Sequence, residues 1–306
     1  MGSLLNCSCA PITNLKKRKP TIFEKLIPLV TKKRFFIILK FLVSFFALGY
    51  VFTQVNLNSI FNLFSKAKGN YLMLGLLLFN ISQLASTARL SYIFKKYDTK
   101  IPFLNNLRLY YIGMAYNLFL PGGIGGDGFK ILYINQHFEY PKKHLFSAVL
   151  LDRLLGLLAL LLLISLGFSI LGFFYPPIAY ILASLVLLGC AFFGTHLIFK
   201  QRKSFVIGLL WSIAIQMIQG CSIACLAFSF GIKKISIVLL FWISSIGTAV
   251  PIFLGGMGAR EFIFEKFSTL FKINAELGMS IALTFSMITL ISSSIGLILD
   301  FIPKKK

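Results

Sequence analysis

Acidic residues are scarce. The 306-residue chain carries 9 Asp and Glu against 31 Lys and Arg, and charged residues of both signs make up only 13% of it. Soluble domains are about 25% charged. No stretch is long and polar enough to hold a soluble catalytic domain of ordinary size. Histidine is scarcer still: His137, His144 and His196 complete no zinc spacing. The cysteines are scattered, with Cys7 and Cys9 near the start, Cys190 in an apolar run, and Cys221 and Cys225 one helical turn apart. They read as small apolar filler rather than metal ligands. No Ser-His-Asp or Cys-His arrangement is readable, and no carboxylate pair suits acid–base chemistry. No catalytic residue, metal or cofactor is therefore assigned.

What is abundant is apolar. Hydrophobic residues reach 57% and the mean hydropathy is +0.84, which defines an integral membrane protein. The excess of +22 would suggest nucleic acid in a soluble chain. Here the bases sit in short clusters beside apolar runs, where they act as topology signals and contacts to anionic headgroups; no basic-aromatic module for nucleic acid is present. The basic cluster Lys16 to Lys19 and the lack of a small-residue cleavage site argue against a cleavable signal. Met1-Gly2 without Ser or Thr at position 6 argues against myristoylation.

Residues 1–35 read as a basic cytoplasmic tail, 36–302 as one transmembrane domain and 303–306 as a basic C-terminal tail. Long apolar runs are expected to span the membrane over 36–54, 70–94, 145–171, 177–199, 205–230 and 277–301, each long enough for a hydrocarbon core of about 30 Å. Asn80, Gln83 and Thr87 share one helical face, as do Ser212, Gln216 and Gln219, and such stripes should turn toward other helices. Arg89, near a span end, is expected to snorkel to the interface.

Two Gly-rich stretches interrupt the remaining runs. The first is Asn117-Leu-Phe-Leu-Pro121-Gly122-Gly123-Ile-Gly125-Gly126-Asp127-Gly-Phe-Lys130; the second is Pro251-Ile-Phe-Leu-Gly255-Gly256-Met-Gly258-Ala-Arg260-Glu261. With the N-terminal tail inside, the uncharged link at 172–176 fits outside. The basic 95–108, Lys142-Lys143 and 200–203 then all fall inside. Region 103–144 thus enters and leaves on the cytoplasmic side, and 235–276 on the outer side. The expectation is an all-α bundle of about six full spans plus two re-entrant hairpins dipping in from opposite faces. That makes eight hydrophobic segments, and opposed broken helices in two halves suggest an inverted repeat. The alternative, eight full spans, would put Lys142, Lys143, Lys200, Arg202 and Lys203 outside. The hairpin tips are Pro121, Gly122, Gly123, Gly125 and Gly126, and Pro251, Gly255, Gly256 and Gly258. Irregular backbone is tolerated at such depth only against protein or a watery cavity.

Charges beside those tips are the candidate site. Asp127 and Lys130, three apart, share a helical face. Arg260 and Glu261, adjacent, should find different partners: Arg260 a lipid phosphate, Glu261 either Lys130 or Arg153. Asp152-Arg153 lies about two turns into a long helix. A charge inside a membrane costs about 2.5–3.5 kcal/mol on insertion scales, which argues for use. Gly123-x-Gly125-x-x-Gly128 matches a dinucleotide fingerprint, but that motif needs a strand and a soluble βαβ unit around it.

Asn117-x-x-x-Pro121-Gly-Gly-x-Gly-Gly-Asp127, then Asp152-Arg153, then Gly255-Gly-x-Gly-x-Arg260-Glu261 resembles the flippase-like membrane domain of lysylphosphatidylglycerol synthases, also found alone in UPF0104 membrane proteins. The resemblance spans roughly 35–302. It departs at Lys130, where the family usually has Arg, and at Leu254, where it usually has Pro. It implies a stand-alone membrane domain without the synthase's enzymatic activity. The implied role is to translocate or handle a lipid with a charged headgroup, an anionic phospholipid or a polyprenyl-linked lipid. Asn117, Asp127, Lys130, Asp152, Arg153, Arg260 and Glu261 would line the headgroup path in the cytoplasmic (inner) membrane. The other reading is a non-transporting accessory for a lipid-modifying or glycosyl-transferring enzyme. The topology predicts that Lys142→Cys and Lys203→Cys both react with an impermeant thiol reagent from the cytoplasmic side; reaction of either from outside contradicts the double hairpin.

Overall fold

In hydrocarbon every backbone N–H and C=O must bond within the chain, so apolar runs of this length become helices. The computed structural model describes residue 63 and residues 65–119, 125–172, 175–199, 202–249 and 258–301. The expected tail 1–35, the span 36–54, the tip residues Pro121, Gly122, Gly123, Pro251, Gly255 and Gly256, and residues 303–306 lie outside the described residues. Among the described residues there are nine helices and no strand. They are α1 (Gly69–Lys96), α2 (Phe103–Phe119), α3 (Gly125–Phe138), α4 (Lys142–Leu171), α5 (Pro177–Phe199), α6 (Arg202–Ser229), α7 (Ser236–Ala249), α8 (Ala259–Phe267) and α9 (Ala275–Phe301).

Five of these, α1, α4, α5, α6 and α9, contain stretches long and apolar enough to cross a membrane. The other four have 17, 14, 14 and 9 residues. At 1.5 Å per residue the longest of them reaches about 25 Å, short of a full core. The ends are set by local chemistry. Gly172 closes α4 in the left-handed conformation, φ 65°, which glycine adopts without cost. Asn274 opens α9 by accepting the N–H groups of Glu276 and Leu277 through Oδ1 at 2.8 and 3.3 Å, as an N-cap does.

Hydrogen bonds fix which ends lie together. Lys100 N–H donates to the Tyr140 hydroxyl at 3.0 Å, and Arg108 Nη2 to the Leu299 carbonyl at 2.6 Å. One end of the bundle therefore carries the ends of α1, α3 and α9 and the starts of α2 and α4. At the opposite end Lys68 N–H donates to the Ser229 carbonyl at 3.1 Å, and Lys234 Nζ to the Lys272 carbonyl. The pair α2–α3 thus starts and finishes at one end, and the pair α7–α8 at the other.

Packing repeats between the two halves. α1 lies along α6, with Gly75 opposite Ser222, Ser82 opposite Gln219 and Arg89 opposite Ser212, so the two run antiparallel. α2 packs on α9, and α7 packs on α4; α3 packs on α4, and α8 on α9; α1 meets α2, and α6 meets α7. Exchanging α1 with α6, α2 with α7, α3 with α8 and α4 with α9 maps each of these contacts onto another. Because the exchanged helices α1 and α6 point opposite ways, the packing is that of an inverted repeat.

Between lipid-facing helices there is no hydrophobic drive, so close backbone approach and interhelical hydrogen bonds do the work. A Cβ on Gly126 would stand 1.9 Å from the Gly113 carbonyl oxygen, and one on Gly296 would stand 2.0 Å from that of Tyr111. Glycine is required at both. The polar stripes expected on α1 and α6 do face inward: Gln219 donates to Ser82 at 3.2 Å, and Asn80 donates to Ser292 on α9 at 3.1 Å. The apolar core centres on Phe285, whose ring meets Phe79 at 5.4 Å and Phe241 at 4.9 Å. By contrast, Leu182, Leu185 and Val186 of α5 are exposed, as a lipid-facing helix requires.

Candidate functional site

The first charge cluster is built where α3 begins. The Gly113–Gly126 approach seats α3 against α2, and Asn117 Oδ1 accepts the Gly126 N–H at 2.8 Å. This clasp puts Asp127 in the first turn of α3, where unpaired backbone N–H groups favour an anion. Asp127 is buried. Its Oδ2 accepts from Arg153 Nε at 2.7 Å and lies 2.7 Å from Arg153 Nη2. Its Oδ1 accepts from Lys130 Nζ at 3.3 Å. Lys130 is buried as well and lies 4.1 Å from the centre of the Tyr110 ring. A side chain at position 113 would collide with it. Arg153 differs: its side chain is 55% exposed, so this two-pronged grip leaves part of the guanidinium open.

The second cluster stands where α8 begins. Gly258 has φ 84°, a backbone state that glycine takes readily. Glu261 Oε2 accepts the Gly258 N–H at 2.8 Å, and its Oε1 accepts from the Ser286 hydroxyl at 2.5 Å. Glu261 is 1% exposed and is satisfied by its own helix and by α9. Arg260 points elsewhere. Its guanidinium lies 4.3 Å from the Phe285 ring centre and 5.0 Å from that of Phe241, within cation–π range. Its Nε is buried without a hydrogen-bond partner among the described residues. A buried donor with no acceptor costs about 1–3 kcal/mol, more when charged.

The internal repeat relates the two clusters. Gly113-x-Ala115 corresponds to Gly247-x-Ala249, and Gly125-Gly126-Asp127 to Gly258-Ala259-Arg260. Equivalent positions beside the two tips therefore hold opposite charges. In each half the acid in the first turn of the short helix reaches the following long helix: Asp127 to Arg153 on α4, Glu261 to Ser286 on α9.

Several expectations need revision. Glu261 pairs with neither Lys130 nor Arg153, because both of those converge on Asp127, and no described ion pair joins the two clusters. Asp152, expected on the headgroup path beside Arg153, faces inward instead, since adjacent residues on a helix diverge. Arg89 does not snorkel. It is buried, and its Nε and Nη2 grip Asp152 at 2.7 and 2.9 Å while Nη1 donates to Ser212 at 2.6 Å. This fork ties α1, α4 and α6 together, so Asp152 is held in a structural lock. Sequence reasoning also passed over Tyr110, Phe241, Phe285 and Ser286. Only the helical spacing of Ser286 on α9 could have signalled any of them.

A multi-pass helical bundle with charges buried beside broken helices defines a class of membrane protein. The profile of the family described as Lysylphosphatidylglycerol synthase TM region matches residues 37–199, more than half of the chain, and the chain belongs to that family. No curated protein matches it. The family match covers the first half, with Asp127 and Arg153; the second half, with Arg260 and Glu261, is tied to it by the repeated packing.

The two roles assigned to the dipeptide separate experimentally. Removing one partner of a buried ion pair costs about 3–5 kcal/mol, whereas replacing both by apolar residues is often neutral. Arg89→Met alone should lower the detergent melting temperature sharply, and Arg89→Met with Asp152→Leu should recover most of the loss. Arg153→Gln, half exposed, should cost far less. Equal losses for Arg89→Met and Arg153→Gln would contradict the division.

Proposed function

We propose that this membrane protein translocates a lipid with a charged headgroup, a phospholipid or a polyprenyl-linked lipid, between the leaflets of the cytoplasmic membrane. The observation that carries the reading is Arg260. A guanidinium over two aromatic rings, with a buried Nε lacking an acceptor among the described residues, suits a phosphate oxygen. The half-exposed Arg153, anchored to Asp127, offers a second cation in the other half. Headgroup charge would be passed between the two tips while the acyl chains stay in lipid.

The re-entrant topology belongs to the same proposal. Both short pairs return to the end from which they start, as hairpins entering from opposite faces would. In this reading the end bearing Lys95, Lys96, Lys100, Lys142 and Lys143 is cytoplasmic, as are both termini. The chain acts as a carrier rather than an enzyme, and since no nucleotide-binding motif is present, a lipid or ion gradient drives the motion.

Reconstitution into liposomes tests this. Vesicles holding the protein should exchange a labelled phospholipid between leaflets. Arg260→Ala should slow exchange by about tenfold to a hundredfold, the worth of a charge-assisted hydrogen bond of about 1.5–3 kcal/mol. Asp127→Asn, which releases Arg153, should also slow it. No exchange across a broad lipid panel favours the accessory for a lipid-modifying enzyme, and a chemically changed lipid favours an enzyme.

A further inference from the structure

At the end of the bundle that carries Lys100, Lys142 and Lys143, a cavity of about 190 Å³ opens between α2, α3 and α9. Its polar lining comes from Asn105, Arg108, Tyr133 and Asp300, with Leu109 and Ile112 beside them. None of these belongs to the two clusters at the hairpin tips. We propose that this cavity binds a lipid headgroup carrying both a phosphate and an ammonium group, a proposal that rests on the lipid-handling reading above.

Position and size agree with a headgroup. The lining residues lie near the start of α2 and near the ends of α3 and α9, at the level of the terminal lysines, where headgroups sit. At about 30 Å³ per water molecule the volume equals roughly six waters, enough for a small polar headgroup and too little for acyl chains.

The charges define which headgroup. Arg108 is held in place by its bond to the Leu299 carbonyl at 2.6 Å, and a guanidinium offers phosphate a planar fork. Asp300 is oriented by the Tyr116 hydroxyl, which donates to Oδ2 at 2.9 Å. An ionised carboxylate only accepts hydrogen bonds, so Asp300 repels a headgroup with nothing but negative charge and attracts an ammonium. One fork and one carboxylate on a single small cavity select a zwitterion.

A second observation leads inward from the cavity. Ser286, Thr289, Ser293, Gly296 and Asp300 recur at three- and four-residue spacing, on one face of α9. The stripe runs from the serine that donates to Glu261 down to the cavity. Ser293 on that face is 1% exposed, and its hydroxyl has no hydrogen-bond partner among the described residues. The seam related to this one by the internal repeat, between α7 and α4, presents Leu239 against Gly167 instead. The polar stripe thus marks the α2–α9 seam, which the Gly296–Tyr111 contact closes.

The test uses the full chain in detergent with an equal mixture of phosphatidylethanolamine and phosphatidylglycerol, counting retained lipid by native mass spectrometry. The wild type should retain phosphatidylethanolamine about tenfold over phosphatidylglycerol. Asp300→Asn should erase that preference without lowering total lipid, and Arg108→Gln should lower both. Loss of bound lipid on adding free O-phosphoethanolamine would show that the headgroup alone is recognised. Its retention would show that the tethered lipid is the ligand. Equal retention of the two lipids by the wild type, or an unchanged preference in Asp300→Asn, would overturn the proposal. Helicity and gel filtration of Asp300→Asn exclude misfolding as the cause. Leaflet exchange measured on the same preparations keeps the two readings apart. Exchange without a headgroup preference removes the cavity site alone, and preference without exchange removes translocation alone.

Discussion

Three buried acids hold the described bundle together: Asp127, Asp152 and Glu261. In an apolar interior each must be matched by a cation, a hydroxyl or backbone N–H groups, and each has at least one partner on another helix. Asp152 locks α1 to α4 through Arg89. Asp127 fastens the start of α3 to α4 through Arg153, and Glu261 fastens the start of α8 to α9 through Ser286. With so few acids in the chain, each one determines where a helix can lie. The bases are then left in excess.

The long helices were legible in the sequence because membrane length and hydropathy leave little freedom. The runs 70–94 and 277–301 became α1 over 69–96 and α9 over 275–301. The short helices were less so. The expected apolar piece 129–138 proved to be α3 from Gly125, because Asn117 clasps the Gly126 N–H and the Gly113 contact needs a glycine in that first turn. Asp127 and Lys130 could be paired from a spacing of three. The partners of Arg89 and Glu261 could not, since they are 63 and 25 residues away and depend on how helices cross. Likewise the stacking of Arg260 on Phe241 and Phe285 follows from the α7–α8–α9 packing, which no periodicity in the chain announces.

The repeated packing gives the charges their meaning. In each half the first short helix packs on the long helix of the other half and the second on that of its own: α2 on α9 and α3 on α4, α7 on α4 and α8 on α9. The halves agree in backbone arrangement and differ in chemistry: an acid stands at the first tip where an arginine stands at the second.

If a lipid headgroup passes between the tips, it must come within bonding distance of residues that no bulk lipid reaches. A phospholipid bearing a photoactivatable group on its headgroup, crosslinked to the reconstituted protein and mapped by mass spectrometry, measures this directly. The account predicts adducts inside the bundle, on α8 and α9 around Arg260 and Phe285. Adducts confined to the outward face of α5, at Leu182, Leu185 and Val186, would contradict it.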